Sequence, residues 1–299
     1  MRARHALPAL AILAVVALTG CVDNSTPAAS GAPGSGTSGA VTKDKAAAAL
    51  VPADISKGGK LIIGTSPNYA PNEYKDNAGK PIGWAIELSD ALAAKLGLKP
   101  EYQIAKFENI IPSIVAGKIQ VGESSFTDTL EREKQVDFVN YYSAGVQWAS
   151  GIGKDVDPDN ACGLKVAVQA TTFEDTDEIP GKSAACVAAG KDPIIKMPFE
   201  TQDSAANSVV LGQADAFSAD SPVTLYAISK LKDKLQPAGK TFDDSPYGLA
   251  VPQKSGLVKA VQAALQSMVD DGSYGKILDK WGVGAGGLDT ITINAASKG

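Results

Sequence analysis

The sequence predicts an α/β protein built from two units. Short apolar runs alternate with helix-patterned stretches from residue 60 onward, the pattern of parallel strands joined by crossover helices. The same rhythm restarts at Leu164. In both halves polar loops follow the strand ends, where open α/β sheets bind their ligands.

The elements follow in order. Residues 60–64 form a short apolar strand. Residues 86–96 place Leu88, Leu92 and Leu96 on one helical stripe that stops at Gly97. Residues 102–105 read as a strand, and residues 109–116 as a helix with Ile110, Ile111, Ile114 and Val115, ended by Gly117. Another strand starts at Gln120. The second unit runs through strands at 164–168 and 194–197, a helix at 204–211 and a strand at 214–217. A strand at 247–251 precedes an amphipathic helix bearing Leu257, Val261, Leu265 and Met268. A last helix at 274–281 turns Ile277 and Leu278 toward the core. The polar loops are 65–69, 124–128, 169–172 and 219–222.

The N-terminus reads as a targeting segment. Arg2 and Arg4 precede an apolar run, residues 6–18, too short to span a bilayer. It ends in Leu18-Thr19-Gly20-Cys21, which resembles the lipobox of bacterial lipoproteins, so Cys21 is the expected lipidation site. Residues 22–53 are rich in Ala, Gly, Ser, Thr and Pro and read as a flexible tether. Within it, residues 41–50 suit a transient helix. The remaining body suffices for one large or two small domains.

Composition excludes several functions. Formal charge is -5, and -7 once Arg2 and Arg4 are removed, with no basic patch, so no nucleic acid is expected. The single histidine, His5, lies in the targeting segment. That leaves no imidazole for Ser-His-Asp or Cys-His catalysis or for histidine metal sites. No cofactor or metal is expected. Two cysteines remain beyond Cys21, and in an exported protein the pair Cys162 and Cys186 reads as a disulfide. Closing a loop of about 25 residues is worth about 3 kcal/mol on the chain-entropy model.

Arg132 is the one arginine after residue 4. Its planar fork grips a carboxylate through two parallel hydrogen bonds, which lysine cannot reproduce. It sits where a strand end runs into a helix start, and a cation in a first helical turn opposes the macrodipole. A surface pair with Glu131 or Glu133 is the plainer alternative.

The chain resembles the extracellular solute-binding proteins of polar amino-acid ABC transporters, solute-binding family 3. The resemblance rests on Ile63-Gly64-Thr65 with Tyr69-Ala70-Pro71, Gly79-Lys80-Pro81-Ile82-Gly83-Trp84, and Phe107-Glu108-Asn109-Ile110-Ile111-Pro112. It continues through Thr127-Asp128 with Glu131-Arg132, Lys165-Val166-Ala167-Val168-Gln169, Asp215-Ala216 with Asp220, Tyr247-Gly248, and Asp271-Gly272-Ser273-Tyr274. It implies a two-lobed, periplasmic-binding-protein-like (type II) fold, two α/β lobes joined by a two-strand hinge. Lobe 1 is then residues 57–145 and 248–285, and lobe 2 residues 150–245 with the cysteine pair. A signal peptide 1–20, a lipidated tether 21–56 and a C-terminal tail 286–299 complete the chain.

The resemblance also implies roles. Arg132 matches the arginine that pairs with the ligand α-carboxylate. Thr127 and Thr172 match residues giving it backbone N–H groups, with Thr171 beside them. Asp220 matches the acid that accepts from the α-ammonium, helped by Ser125. Phe107 and Tyr69 match the aromatic walls, and Ser66 and Asn68 belong to the same first loop. Asp220-Ser221-Pro222 also fits a helix cap, and the aromatics also fit plain core.

Departures bear on specificity. Relatives that bind basic amino acids carry an acid where Ser66 stands. The Phe common before the glutamate of the first loop is Asn72, and the Asp common after the Gly-aromatic pair is Ala85. Glu123 faces the cleft if strand alternation holds, and Lys106 is a candidate for an acidic side chain. Together these point to an amino acid with a neutral polar side chain. The expected function is a monomeric, non-enzymatic binding protein, anchored outside the cytoplasm by its lipid, that delivers an amino acid to ABC permease subunits. The alternatives are a ligand-sensing receptor component and, on the same fold, a small-carboxylate dehydratase using Glu123 or Glu174 as its acid.

Overall fold

The computed structural model describes residues 41–296. The expected signal peptide, Cys21 and the tether up to residue 40 lie outside them. The tether does not reach residue 56 as expected. Asp44 accepts from the N–H groups of Ala46 and Ala47, capping helix α1 (Lys45–Ala49), and α2 (Ala53–Gly58) follows at once. Ala47 is fully buried, so the alanine run is a packed helix.

The first half then runs β1 (Lys60–Thr65), a small hairpin sheet of β2 (Asn68–Tyr69), β3 (Glu73–Lys75) and β4 (Pro81–Ile82), and helix α3 (Trp84–Leu96). It continues with β5 (Lys99–Ile104), α4 (Phe107–Val115), β6 (Val121–Thr127) and the one-turn α5 (Leu130–Glu133). The long strand β7 (Val136–Gly151) leads into the second half: β8 (Lys165–Gln169), α6 (Ile179–Ala188), β9 (Ile195–Phe199), α7 (Gln202–Val210), β10 (Ala216–Asp220) and α8 (Ser221–Lys230). A second long strand, β11 (Leu235–Pro252), returns to the first half for α9 (Leu257–Asp270), α10 (Ser273–Trp281) and β12 (Thr292–Ile293).

Strand order in the large sheet is β5-β1-β6-β11-β7-β10-β8-β9. The fold is two-lobed, and among the described residues β7 and β11 are the strands of that sheet that run through both lobes. They pair antiparallel from Leu235 opposite Gly151 to Pro252 opposite Val136, with register shifts around Phe242 and Ser245. There Gly145 lies so close to Asp244 and Phe242 that a Cβ would stand 2.4 Å from Asp244 Oδ1. The sequence shows only the last part of β11, because residues 235–246 lack the apolar run of a buried strand.

Each lobe has its own core. In lobe 1, α3 and α9 cover one sheet face with Trp84, Leu88, Leu92, Val261, Leu265 and Met268, while α4 covers the other with Ile110 and Ile114. In lobe 2, Ala205, Val209 and Phe217 pack on one face and Val166, Val168 and Ile179 on the other. The second cluster includes Cys186, bonded to Cys162. Two expectations are corrected. Residues 124–127 are not loop but the end of β6, paired to β11 through Phe126 opposite Gly248. Residues 286–296 are not a free tail, because β12 pairs with β7, Ile291 is buried, and the Ala295 N–H donates to Asp128.

Candidate functional site

One cleft lies between the lobes, lined by Ser66, Tyr69, Glu73, Phe107, Ser124, Ser125, Thr127, Arg132, Gln169, Thr172, Phe173 and Asp220. Its free volume is about 10 Å³, room for about one water, so the lining side chains stand closed upon it. Its walls come from the ends of β1, β6, β8 and β10, as the strand-end rule requires.

Arg132 is placed by α5, whose cap Thr129 accepts from the Arg132 N–H at 3.3 Å. Its Nη1 donates to the Thr127 carbonyl at 2.7 Å, and its Nη2 to the Thr171 carbonyl of the other lobe at 3.0 Å. The guanidinium carbon stands 5.6 Å and 5.7 Å from the ring centres of Phe107 and Phe126, which stack on each other at 4.5 Å. Cation–π attraction and two fixed carbonyls therefore aim the fork. Glu131 pairs instead with Lys134, and Arg132 has no carboxylate partner among the described residues. With five N–H donors and two used, it keeps donors for a ligand carboxylate.

Asp220 ends β10 and opens α8. It sits at the cap position, but its side chain makes no cap hydrogen bond. Its Oδ2 accepts from the Tyr69 hydroxyl at 2.7 Å. Burial, and then the Glu174 carboxylate, push the Asp220 carboxyl well above its usual range. Tyr69 comes from lobe 1 yet packs its ring into the lobe 2 core.

Glu73 is one of the cleft residues to which the sequence reading gives no role. It is fully buried. The hairpin register sets Tyr69 opposite Glu73, and Gly83 at φ 129° lets the Asn72 carbonyl approach where a Cβ would stand 2.0 Å away. The Glu73 Oε2 accepts from Ser125 Oγ at 2.8 Å and Oε1 from Ser124 Oγ at 3.4 Å. Asn72 braces that serine, donating to Ser125 Oγ at 2.9 Å while accepting from Trp84 Nε1 at 2.8 Å. Burial first, then the neighbouring Glu123, raise the Glu73 carboxyl well above its usual range.

Of the other expected residues, Ser66, Ser125, Thr127, Phe107 and Thr172 line the cleft, while Asn68 and Thr171 do not. Asn68 turns its amide to Ser66 Oγ. Thr171 stands at φ 65°, and its N–H is taken by Asp175, so it contributes its carbonyl to Arg132. Glu123 is fully buried behind the cleft wall rather than lining it, because the positive φ of Ser125 breaks the alternation. Lys106 pairs at 2.8 Å with Glu200, both half exposed, joining the lobes away from the cleft lining. Ser124, Gln169 and Phe173 complete the lining. Ser124 and Gln169 sit in segments expected to be loops and Phe173 directly follows one, but nothing in their spacing marks them. No group of three or more metal-ligating side chains occurs among the described residues, and none of their helices is long and apolar enough to cross a membrane.

Comparisons agree with this architecture. The family model of bacterial extracellular solute-binding proteins, family 3, matches residues 61–284. The arginine-binding protein ArgT of Corynebacterium glutamicum is 41% identical over 248 residues, 82% of each chain. Two solved structures of an ancestral arginine-binding protein are similar, one bound to arginine and one to glutamine. They give TM-scores of 0.68 and 0.67 at 32% and 33% identity, each covering 75% of this chain and 98% of the other.

Proposed function

This chain belongs to the bacterial extracellular solute-binding proteins of family 3, and from that premise we propose that it captures a basic amino acid, arginine foremost. The observation that carries the reading is the charge set of the cleft: Arg132, Asp220 and Glu73 line one cavity. A zwitterionic amino-acid backbone satisfies Arg132 with its carboxylate and Asp220 with its ammonium. Glu73 remains, and a buried carboxylate calls for a cation. A guanidinium on a three-carbon stem supplies it. Arg132 and Asp220 belong to different lobes, so such a ligand stabilises the closed arrangement over an open one. The name of the Corynebacterium relative supports the same choice.

Titration calorimetry against the standard amino acids and citrulline tests this. Arginine is expected to bind tightest, with no turnover. Citrulline and glutamine, which lack the positive side chain, are expected to bind about tenfold or more weakly. Equal or tighter binding of a neutral amino acid would overturn the basic-ligand reading and favour the neutral side chain suggested by Ser66 and Ala85.

The reading extends to delivery of the ligand to an ABC permease from a membrane-anchored position. The support is the apolar run 6–18 directly before Leu18-Thr19-Gly20-Cys21; two acyl chains on such a cysteine hold a protein where one does not. Cys21→Ser is expected to release the protein or leave it uncleaved. Unchanged size and membrane retention would overturn the anchor.

A further inference from the structure

Behind the cleft wall lies a second carboxyl that the ligand reading leaves unused. Glu123, on β6, is fully buried. Its Oε1 accepts from the Tyr141 hydroxyl at 3.1 Å and, at 3.4 Å, from the Ser125 N–H. Its Oε2 is buried and has no hydrogen-bond partner. Ser125 is therefore a joint: its N–H reaches Glu123 while its Oγ reaches Glu73. The Ser125 hydroxyl takes the Asn72 amide as donor, so its own proton points to Glu73. That geometry leaves Glu73 as an acceptor in the cleft and Glu123 with one free buried oxygen.

The groups facing this pair are acids and phenols. Glu73 feels Glu123 within lobe 1 and Asp220 from lobe 2. Glu123 faces Tyr141 on β7 and influences Tyr102 on β5. Asp220 is in turn faced by Tyr69, Tyr247 and Glu174. Arg132, the one cation among the lining residues, stands with the Phe107–Phe126 stack and the Thr171 carbonyl. Two carboxyls sharing a low-dielectric site without a cation do not both ionise.

We infer that Glu73 and Glu123 share one proton in the ligand-free cleft and give it up to solvent when a cationic side chain docks on Glu73. This rests on the basic-ligand reading above. The step is an acid dissociation: the carboxyl O–H of the pair breaks, the proton leaves for water, and the ligand cation replaces it as the neutralising charge. Burial raises both carboxyls, Glu123 to about 8 and Glu73 well above its usual range, so the pair holds a proton at neutral pH before the ligand arrives. Glu123 does not touch the ligand. It is a positioning residue that sets how capture depends on pH, working through Ser125 and Glu73.

Calorimetry of arginine binding in two buffers of different ionisation enthalpy counts the protons. The wild-type chain is expected to release about one more proton per arginine than per glutamine near pH 7, so that the ratio of arginine to glutamine affinity rises up to about tenfold per pH unit from pH 6 to 8. E123Q is expected to release fewer protons than wild type and to show a shallower profile. Glutamine, if it binds the wild type, is expected to release about one proton fewer than arginine, because its ammonium still docks on the raised Asp220 carboxyl. Because E123Q can fail to fold, the wild-type proton count stands as its own test. Arginine binding without proton release overturns this inference and leaves the basic-ligand reading intact. So does E123Q releasing as many protons as wild type, or glutamine releasing as many as arginine. Binding of glutamine without binding of arginine overturns both.

Discussion

The Tyr69 hydroxyl donates to Asp220 Oδ2 at 2.7 Å and accepts from the Asp220 N–H at 3.1 Å, so a lobe 1 side chain holds a lobe 2 acid by both its ends. One carboxylate oxygen is thereby fixed, and the other stays available to an ammonium. Asp220→Asn is expected to weaken arginine binding by about 2–5 kcal/mol. Arginine's des-amino analogue should lose far less. Equal losses for both in parallel titrations would show that Asp220 does not receive the amino group.

Arg132→Lys keeps the charge and loses the fork, so affinity should fall clearly. Arg132→Ala should nearly abolish binding, with a loss of about 2–5 kcal/mol or more as the ligand carboxylate is stranded. Circular dichroism should show both variants folded, because the guanidinium packs at the cleft rather than in a core. Wild-type affinity in Arg132→Ala would remove this residue from the site.

Glu73→Gln replaces the carboxylate with a neutral group of the same shape. Arginine affinity should drop by about 1.5–3 kcal/mol, the range for a charged hydrogen bond. Glutamine affinity should hold or rise, so the ratio of the two dissociation constants is the readout. An unchanged ratio would mean that the side chain lies elsewhere.

The bond between Cys162 and Cys186 joins the segment before β8 to α6, remote from the cleft lining. Replacing both cysteines with serine should lower unfolding free energy by about 2–4 kcal/mol. Ligand affinity should be unchanged where the variant is folded. Thiol titration of the denatured, unreduced C21S chain should find no free sulfhydryl.

Glu178 is a buried carboxyl in the lobe 2 core, accepting from Trp148 Nε1 at 3.0 Å and Ser218 Oγ at 2.9 Å. Burial, and then Glu174, raise it to about 8. A carboxyl raised on folding favours the native state while protonated. Its contribution is therefore full below about pH 4.5, its unfolded value, and lost as pH rises through about 8. Melting temperature should decline from pH 5 to 9, and Glu178→Gln should flatten that decline. Glutamine keeps an acceptor for Trp148, and the Ser218 hydroxyl can rotate to accept from the new amide. An identical slope in both proteins would show that Glu178 does not titrate.

What the sequence discloses follows from how local each signal is. Strand ends and helix stripes are local, so the placement of Arg132 and Asp220 at element starts is legible from spacing. Glu73 is hidden because its direction depends on a hairpin register and on the close approach at Gly83, neither of which linear spacing encodes. Glu123 misleads because alternation assumes extended backbone, and Ser125 at φ 49° departs from it. The C-terminal segment reads as a tail because its hold on β7 comes from one two-residue strand, Ile291 and the Ala295 N–H. Such contacts span more than 140 positions and leave no periodicity.

The described chain begins with a fastening. Besides capping α1, Asp44 receives a hydrogen bond from Ser267 on α9, and its N–H donates to the Lys95 carbonyl on α3. The Lys95 ammonium, nearly buried, joins Ser267 and Asp271 in the same knot. Whatever pull reaches residue 41 from the preceding chain is thus borne by lobe 1, on the helices that cover its sheet. Lobe 2 hangs from that frame by β7 and β11 alone as continuous strands. A pull at that end acts on the door frame and not on the leaf, so it need not bias whether the cleft is open or shut.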